Sequence, residues 1–299
     1  MDSYRFETKA LHGGQIADPT TGSRAVPIYR TTAYQFESTD HAENLFALRE
    51  LGNIYTRIMN PTQDVLERRV AELEGGVAAL ALASGTSAIF YSIINIADAG
   101  DNIVSANNLY GGSYTMFDNI LPQLGIRVKF VDLVNPKNFQ DAIDEDTKAL
   151  FVETIGNPVL DVVDLGAVVE IAHEAGIPVI VDSTFTTPYM MRPIEHGADV
   201  VVHSLTKWMG GHGTGIGGIV VDAGNFDWSQ ERFPKYHNPD GSYHGLTWGK
   251  DLGELQRLAF ILRMRVVPLR NLGACISPDN AWMFLQGIET LPLQNAATL

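Results

Sequence analysis

A single cysteine, Cys275, stands among 299 residues. No intrachain disulfide can form, and the chain fits a reducing cytosol. Basic residues are also scarce, 21 Lys and Arg against 35 Asp and Glu, for a formal charge of −14. A surface of that sign repels nucleic acid and anionic membranes, so neither is an expected partner. The polar start "MDSYRFETKA" lacks an apolar signal core. The one long uncharged run, 77–97, is interrupted by Ser84-Gly-Thr-Ser87. It reads as buried strand, tight turn and buried helix, not as a membrane span. No His-Glu-x-x-His or Cys-x-x-Cys occurs, so a metal site has no support. Repeats and low-complexity tracts are missing too.

What is present is core-forming material, 45% hydrophobic residues, enough for one large α/β domain or two smaller ones. Residues 1–60 look irregular. Asn60 then suits an N-cap and Pro61 the first helical position, while Leu66, Val70, Leu73 and Val77 keep helical spacing and Gly75-Gly76 ends the helix. Strand-like runs follow at 77–84, 101–106, 127–132, 148–154, 177–183, 198–204 and 217–222, mostly separated by helix-like stretches such as 165–176. Short apolar strands alternating with helices predict a mostly parallel sheet covered on both faces, with chemistry beyond the C-terminal strand ends. Residues 223–252 break the rhythm with Phe226, Trp228, Phe233, Tyr236, Tyr243 and Trp248. They read either as a functional loop or as a packed surface loop.

Several strand ends carry notable residues. Ser84, Gly85 and Thr86 open an apolar helix, which suits an anion cup or an ordinary cap. Tyr110 follows the next strand, as a plate for a flat ligand or as a packed surface ring. Asn157 sits in the turn "ETIGNP". Asp182 ends "IPVIVD" and should be buried, which calls for a cation facing it unless it caps a helix. Lys207 follows "ADVVVHS" and precedes Trp208-Met209, so its amine should be partly desolvated and nucleophilic. Gly213, Gly215 and Gly218 spell Gly-x-Gly-x-x-Gly, but they run into a strand, so a dinucleotide site is disfavoured. Anion cup, aromatic plate, buried acid and buried amine together are the set that pyridoxal phosphate needs.

These motifs, "NIYTRIMNPTQDVLERRVAELEGG", "ALASGTSAI", "PVIVDSTFTTP" and "ADVVVHSLTKWMGGHG", resemble the Cys/Met-metabolism PLP enzymes across nearly all of residues 6–293. The resemblance implies an α/β chain of fold type I. In it, 1–60 is an arm contributing to a neighbouring subunit's site, 61–285 the cofactor domain, and 286–299 the start of a C-terminal domain. It further implies Lys207 as the Schiff-base lysine, Asp182 on the pyridine nitrogen, Tyr110 stacked on the ring and Asn157 on the phenolic oxygen. Ser84, Gly85, Thr86, Ser204 and Thr206 become the phosphate cup, with Tyr55 and Arg57 reaching a neighbour's phosphate in a cytoplasmic dimer or tetramer. "GACISPDNAWMFLQGIETLPL" and the aromatic insertion with "SYHGLTW" point to γ-replacement on O-acetylhomoserine by sulfide or a small thiol, with Lys207 and Tyr110 catalytic. A γ-lyase, a cystathionine-forming synthase and an inactive cofactor-binding fragment remain alternatives. The family continues into a domain whose arginine grips the substrate carboxylate. Here the sequence stops at Leu299 with Gln294 where many relatives have arginine, so a chain lacking that domain is expected.

Overall fold

The computed structural model describes residues 4–298. Seven strands form one sheet: β1 (Ala78–Leu82), β2 (Asn102–Ala106), β3 (Arg127–Val131), β4 (Thr147–Glu153), β5 (Val179–Asp182), β6 (Val200–His203) and β7 (Gly218–Asp222). Their order is β1-β7-β6-β5-β4-β2-β3. Only β7 runs against its neighbours, pairing antiparallel with both β1 and β6. Each of the seven runs anticipated from sequence is a strand, and β2, β4 and β7 are buried along their whole length. Such uninterrupted burial requires cover on both faces.

The first 60 residues are less irregular than their sequence suggests. They hold α1 (Phe6–His12) and α2 (Thr39–Phe46). Each buries one residue, Ala10 and Leu45, so neither is long enough to write a readable period. By contrast, α3 (Pro61–Glu74) is defined by local chemistry. The Asn60 side chain accepts from the Thr62 amide at 2.9 Å, and Gly75 closes the helix at φ 83°, a value glycine adopts without a Cβ clash. Leu66, Val70 and Leu73 face the sheet. Next, α4 (Gly85–Ile94) starts directly after β1, with Ser84 as its cap.

Residues 223–252 are a packed segment. Trp228, Phe233, Tyr236, Tyr243 and Trp248 are buried, and Trp228 stacks between Tyr236 and Phe260, each with ring centres 5.0 Å away. The helix Pro278–Glu289 and the helix Leu291–Thr298 follow. Gly287 lets the first of them lie against the backbone after β6, where an added Cβ would come within 2.3 Å of the Gly210 carbonyl. No helix among the described residues is long and apolar enough to cross a membrane.

Candidate active site

The reversed direction of β7 leaves β1, β2, β4, β5 and β6 with their C-terminal ends along one edge of the sheet. A cavity of about 270 Å³ opens there. Gly85, Thr86, Tyr110, Asn157, Asp182 and Lys207 all line it, with Ile89, Ile155, Phe185 and Trp208 as apolar wall. Residues up to 122 positions apart in sequence, from Gly85 to Lys207, thus meet because each follows a strand of one sheet.

The anion cup is made of backbone. Ser84 Oγ accepts from the Ser87 amide at 3.0 Å and sits 2.9 Å from the Ser87 hydroxyl. The first-turn N–H groups of α4 have no carbonyl of their own helix to bind, and the helix dipole favours an anion there. Gly85 is required by space, because a Cβ would lie 2.7 Å from Ser204 Cβ. Thr206 does not present a free hydroxyl. Its Oγ1 donates to the Gly217 carbonyl at 3.2 Å and accepts from the Gly217 amide at 3.1 Å, which fixes the glycine turn leading into β7. The Gly-x-Gly-x-x-Gly run opens no helix; its last glycine is the first residue of β7.

Tyr110 is half exposed, and its ring lies over Gly112, where a Cβ would approach to 2.5 Å. Asp182 accepts from the Thr184 amide at 2.9 Å. Burial raises its pKa above the usual carboxylate value, and the Thr184 hydroxyl and amide and the charge of His203 only partly oppose this. The cation expected to face it is missing: among the described residues Asp182 makes no ion pair. Lys207 departs from expectation as well. Its side chain is exposed at the cavity mouth, not desolvated among the valines, because those valines belong to β6 and the chain has already turned outward. Ser84, Ser204 and Thr206, expected in the cup, do not line the cavity. Tyr55 and Arg57 do not line the cavity either; the guanidinium stacks on the Tyr55 ring at 5.3 Å, and its Nε has no hydrogen-bond partner.

One cavity residue escaped the sequence reading. Glu153 ends β4 and is 7% exposed. Its Oε1 accepts from the Tyr110 amide at 2.7 Å, and it pairs in register with Asp182. Burial, reinforced by Asp182, pushes its pKa up to about 8. The signal was an acid closing an apolar strand, the same signal that marked Asp182.

A lysine, a half-buried carboxylate without an ion pair, an exposed tyrosine and a helix N-terminus meet at one edge of a mostly parallel sheet, the setting of a pyridoxal-phosphate enzyme of fold type I. Residues 7–297 match the family described as Cys/Met metabolism PLP-dependent enzyme, and the chain belongs to that family. It is 54% identical over 297 residues to an O-acetyl-L-homoserine sulfhydrylase of Leptospira meyeri, covering 98% of this chain and 67% of that protein. A homocysteine synthase of Schizosaccharomyces pombe is 50% identical over 297 residues, covering 98% and 68%. Among solved structures, a Campylobacter jejuni protein assigned as an O-acetylhomoserine (thiol)-lyase, holding N'-pyridoxyl-lysine-5'-monophosphate, superposes with a TM-score of 0.93 at 41% identity, covering 97% of this chain and 72% of that one. The chain spans about two thirds of the length of the curated relatives it matches.

The cavity fits pyridoxal phosphate on its own geometry. The carboxylate of Asp182 has no cation, which a protonated ring nitrogen would supply. The N-terminus of α4 offers amides to a phosphate, and Lys207 presents a primary amine at the mouth.

Proposed function

We propose that this cavity converts O-acetyl-L-homoserine and sulfide, or a small thiol, to L-homocysteine, or a thioether, and acetate. The observation that carries the reading is the meeting of Lys207, Asp182, Tyr110, Asn157 and the Gly85-Thr86 turn around one cavity, in a chain half identical to sulfhydrylases of that substrate.

Lys207 would hold the aldehyde carbon of pyridoxal phosphate, Asp182 its ring nitrogen, Tyr110 its ring face and Asn157 its phenolic oxygen. The Gly85 and Thr86 amides would hold its phosphate, with Ser84, Ser204 and Thr206 shaping the cup. When bound, the cofactor supplies an electron sink for charge developing beside the substrate amine. Asp182 keeps a proton on the ring nitrogen by facing it with a negative charge. The Lys207 amine, which holds one proton at a time, would take the α proton of the substrate, pass it to the bound cofactor and then take a β proton. After the thiol has added at the γ carbon, with its own proton going to the Tyr110 oxygen, the amine would return protons to both carbons. The Tyr110 hydroxyl serves as acid for the departing acetate. Ile89, Ile155, Phe185 and Trp208 limit water at the reacting carbons.

The same reading gives residues 61–285 as the cofactor domain, 286–299 as the start of a C-terminal domain and 1–60 as an arm that serves a neighbour. Tyr55 and Arg57 lie off their own chain's cavity, which supports their completing the site of a second copy in a cytoplasmic dimer or tetramer.

The test pairs chemistry with a spectrum. With O-acetylhomoserine and sulfide the chain should release homocysteine and acetate, and with pyridoxal phosphate it should absorb near ~420 nm. Lys207→Ala should lose both, and borohydride should no longer fix the cofactor to protein. A Lys207→Ala chain that keeps the band and the turnover would refute the assignment. Release of ammonia and a keto acid in place of homocysteine would make the enzyme a lyase.

A further inference from the structure

Two acids close neighbouring parallel strands at the cavity floor. Glu153 of β4 and Asp182 of β5 stand opposite each other in the ladder, so their side chains leave the same face of the sheet. Both line the cavity, and neither forms an ion pair among the described residues. Glu153 is also the tie between distant parts of the site. It binds the Tyr110 amide, after β2, at 2.7 Å.

We propose that Glu153 is a positioning residue that works in its neutral, protonated form, holding the Tyr110 backbone to the sheet while Asp182 keeps the single negative charge of the pair. A buried carboxyl and a half-buried one side by side without a cation disfavour both staying ionised. The titratable groups around Glu153 are Asp182 on β5, Tyr110 after β2 and Lys207 at the mouth after β6. His203 leaves the opposite face of β6, bonded to Glu74, and its field favours charge on Asp182. Each acid accepts from one amide, Thr184 at Asp182 and Tyr110 at Glu153, so it is the ring nitrogen facing Asp182 that makes Asp182 the seat for the charge and Glu153 the seat for the proton. Burial raises both carboxyls, and the charge of Asp182 adds to the rise at Glu153. A neutral Glu153 leaves one anion to face a ring nitrogen and keeps the aromatic plate at a fixed height above the floor. The proposal rests on the cavity being the cofactor site.

The experiment uses the whole chain and two variants. Glu153→Gln keeps shape and acceptor but cannot ionise; Glu153→Ala loses the tie. Cofactor-free chains are unfolded in urea from pH 5 to 8.5. An acid whose folded pKa is raised contributes its full stability below its unfolded value, near 4.5, and loses it as pH rises towards about 8. Glu153→Gln should therefore lie closest to the parent at pH 5, within about fourfold, and outlast it increasingly above, with an unfolding constant at least about a hundredfold smaller at pH 8. At pH 7, borohydride should fix pyridoxal phosphate on Glu153→Gln with an apparent affinity within about threefold of the parent, and on Glu153→Ala at least about tenfold more weakly. The proposal is overturned if Glu153→Gln gains nothing at high pH, fails to fold, or loses the cofactor as Glu153→Ala does. A parent that fixes no cofactor at Lys207 removes the cofactor-site reading and the positioning role with it, while the unfolding profile still reports where the proton sits.

Discussion

Asp222 closes β7 as Asp182 closes β5, yet β7 runs the other way, so Asp222 lies at the edge of the sheet remote from the cavity. It is 1% exposed and binds the Gly224 amide at 2.9 Å, while its second oxygen has no partner. Burial pushes its pKa up to about 7; the Gly224 amide and Arg257 oppose this, and Asp199 adds to it. Because the folded value is raised, the group's stability is whole below the unfolded value of 3.8 and is lost as pH climbs through about 7. Asp222→Asn should thus leave stability unchanged near pH 3 and add about 2–4 kcal/mol above pH 7. Urea unfolding at several pH values checks this, and a pH-independent difference between the two chains would contradict it. Since Asp222 is far from the cavity, the variant should bind pyridoxal phosphate like the parent, which separates it from changes at Glu153. At this scale a polar residue at or shortly after the end of an apolar run was a partial sign: Asp182, Tyr110 and Lys207 meet at the cavity, and Asp222 does not. Glu153 ended such a run too, but its importance comes from the neighbouring strand, and lateral pairing leaves no mark in one strand's residues. The exposure of Lys207 was misjudged for a related reason. Apolar neighbours in sequence bury a side chain only while the chain stays in the strand, and β6 ends at His203.

The segment after β6 makes the largest demand on element packing. Lys207 lies in a turn that runs through Gly210 and Gly211 before the chain reaches β7. The helix Pro278–Glu289 rests on that turn through Gly287, whose missing Cβ allows contact with the Gly210 and Met209 carbonyls. Phe284 of the same helix fills the space beside Gly210 and Gly217. A helical glycine usually costs stability relative to alanine, so replacing it would ordinarily help. Here Gly287→Ala should do the reverse. A methyl group 2.3 Å from the Gly210 oxygen must push the helix or the lysine turn aside, at about 1–3 kcal/mol. Two readouts separate the consequences: urea unfolding for the packing, and borohydride-fixed cofactor for the placing of Lys207. An alanine chain as stable as the parent, with full cofactor loading, would show that the helix does not brace the turn. Elements themselves were largely legible, since seven apolar runs became seven strands and the Asn60-Pro61 and Gly75 signals bounded α3. The antiparallel course of β7 was not. Strand direction is decided by whether a crossover helix intervenes, and the short glycine turn from Lys207 to Gly218 settles it through backbone geometry, not through hydrophobic pattern.

For the molecule as a whole, the aromatic-rich segment 223–252 illustrates what composition alone leaves open. Its rings point inward and stack, and Tyr243 donates to the Phe46 carbonyl at 2.6 Å, fastening α2 to the body. None of them reaches the cavity. The arm is a different matter, because Tyr55 and Arg57 have no cavity of their own to serve. If they complete the site of a second copy, two separately crippled chains should repair one another. Arg57→Ala retains the lysine but lacks the phosphate grip it would offer its neighbour; Lys207→Ala retains the grip but lacks the amine. In a two-fold dimer of one of each, the cavity carrying Lys207 faces an intact Arg57, and the other cavity lacks both. Random exchange makes about half the dimers mixed, each with one of two sites whole, so about a quarter of all sites should recover. Unfolding and refolding the two chains together, then fixing pyridoxal phosphate with borohydride, measures that fraction directly against parent chain. Each variant refolded alone should fix little, Lys207→Ala none at all. If the mixture fixes only the average of the two separate samples, Arg57 acts within its own chain and the arm serves no neighbour.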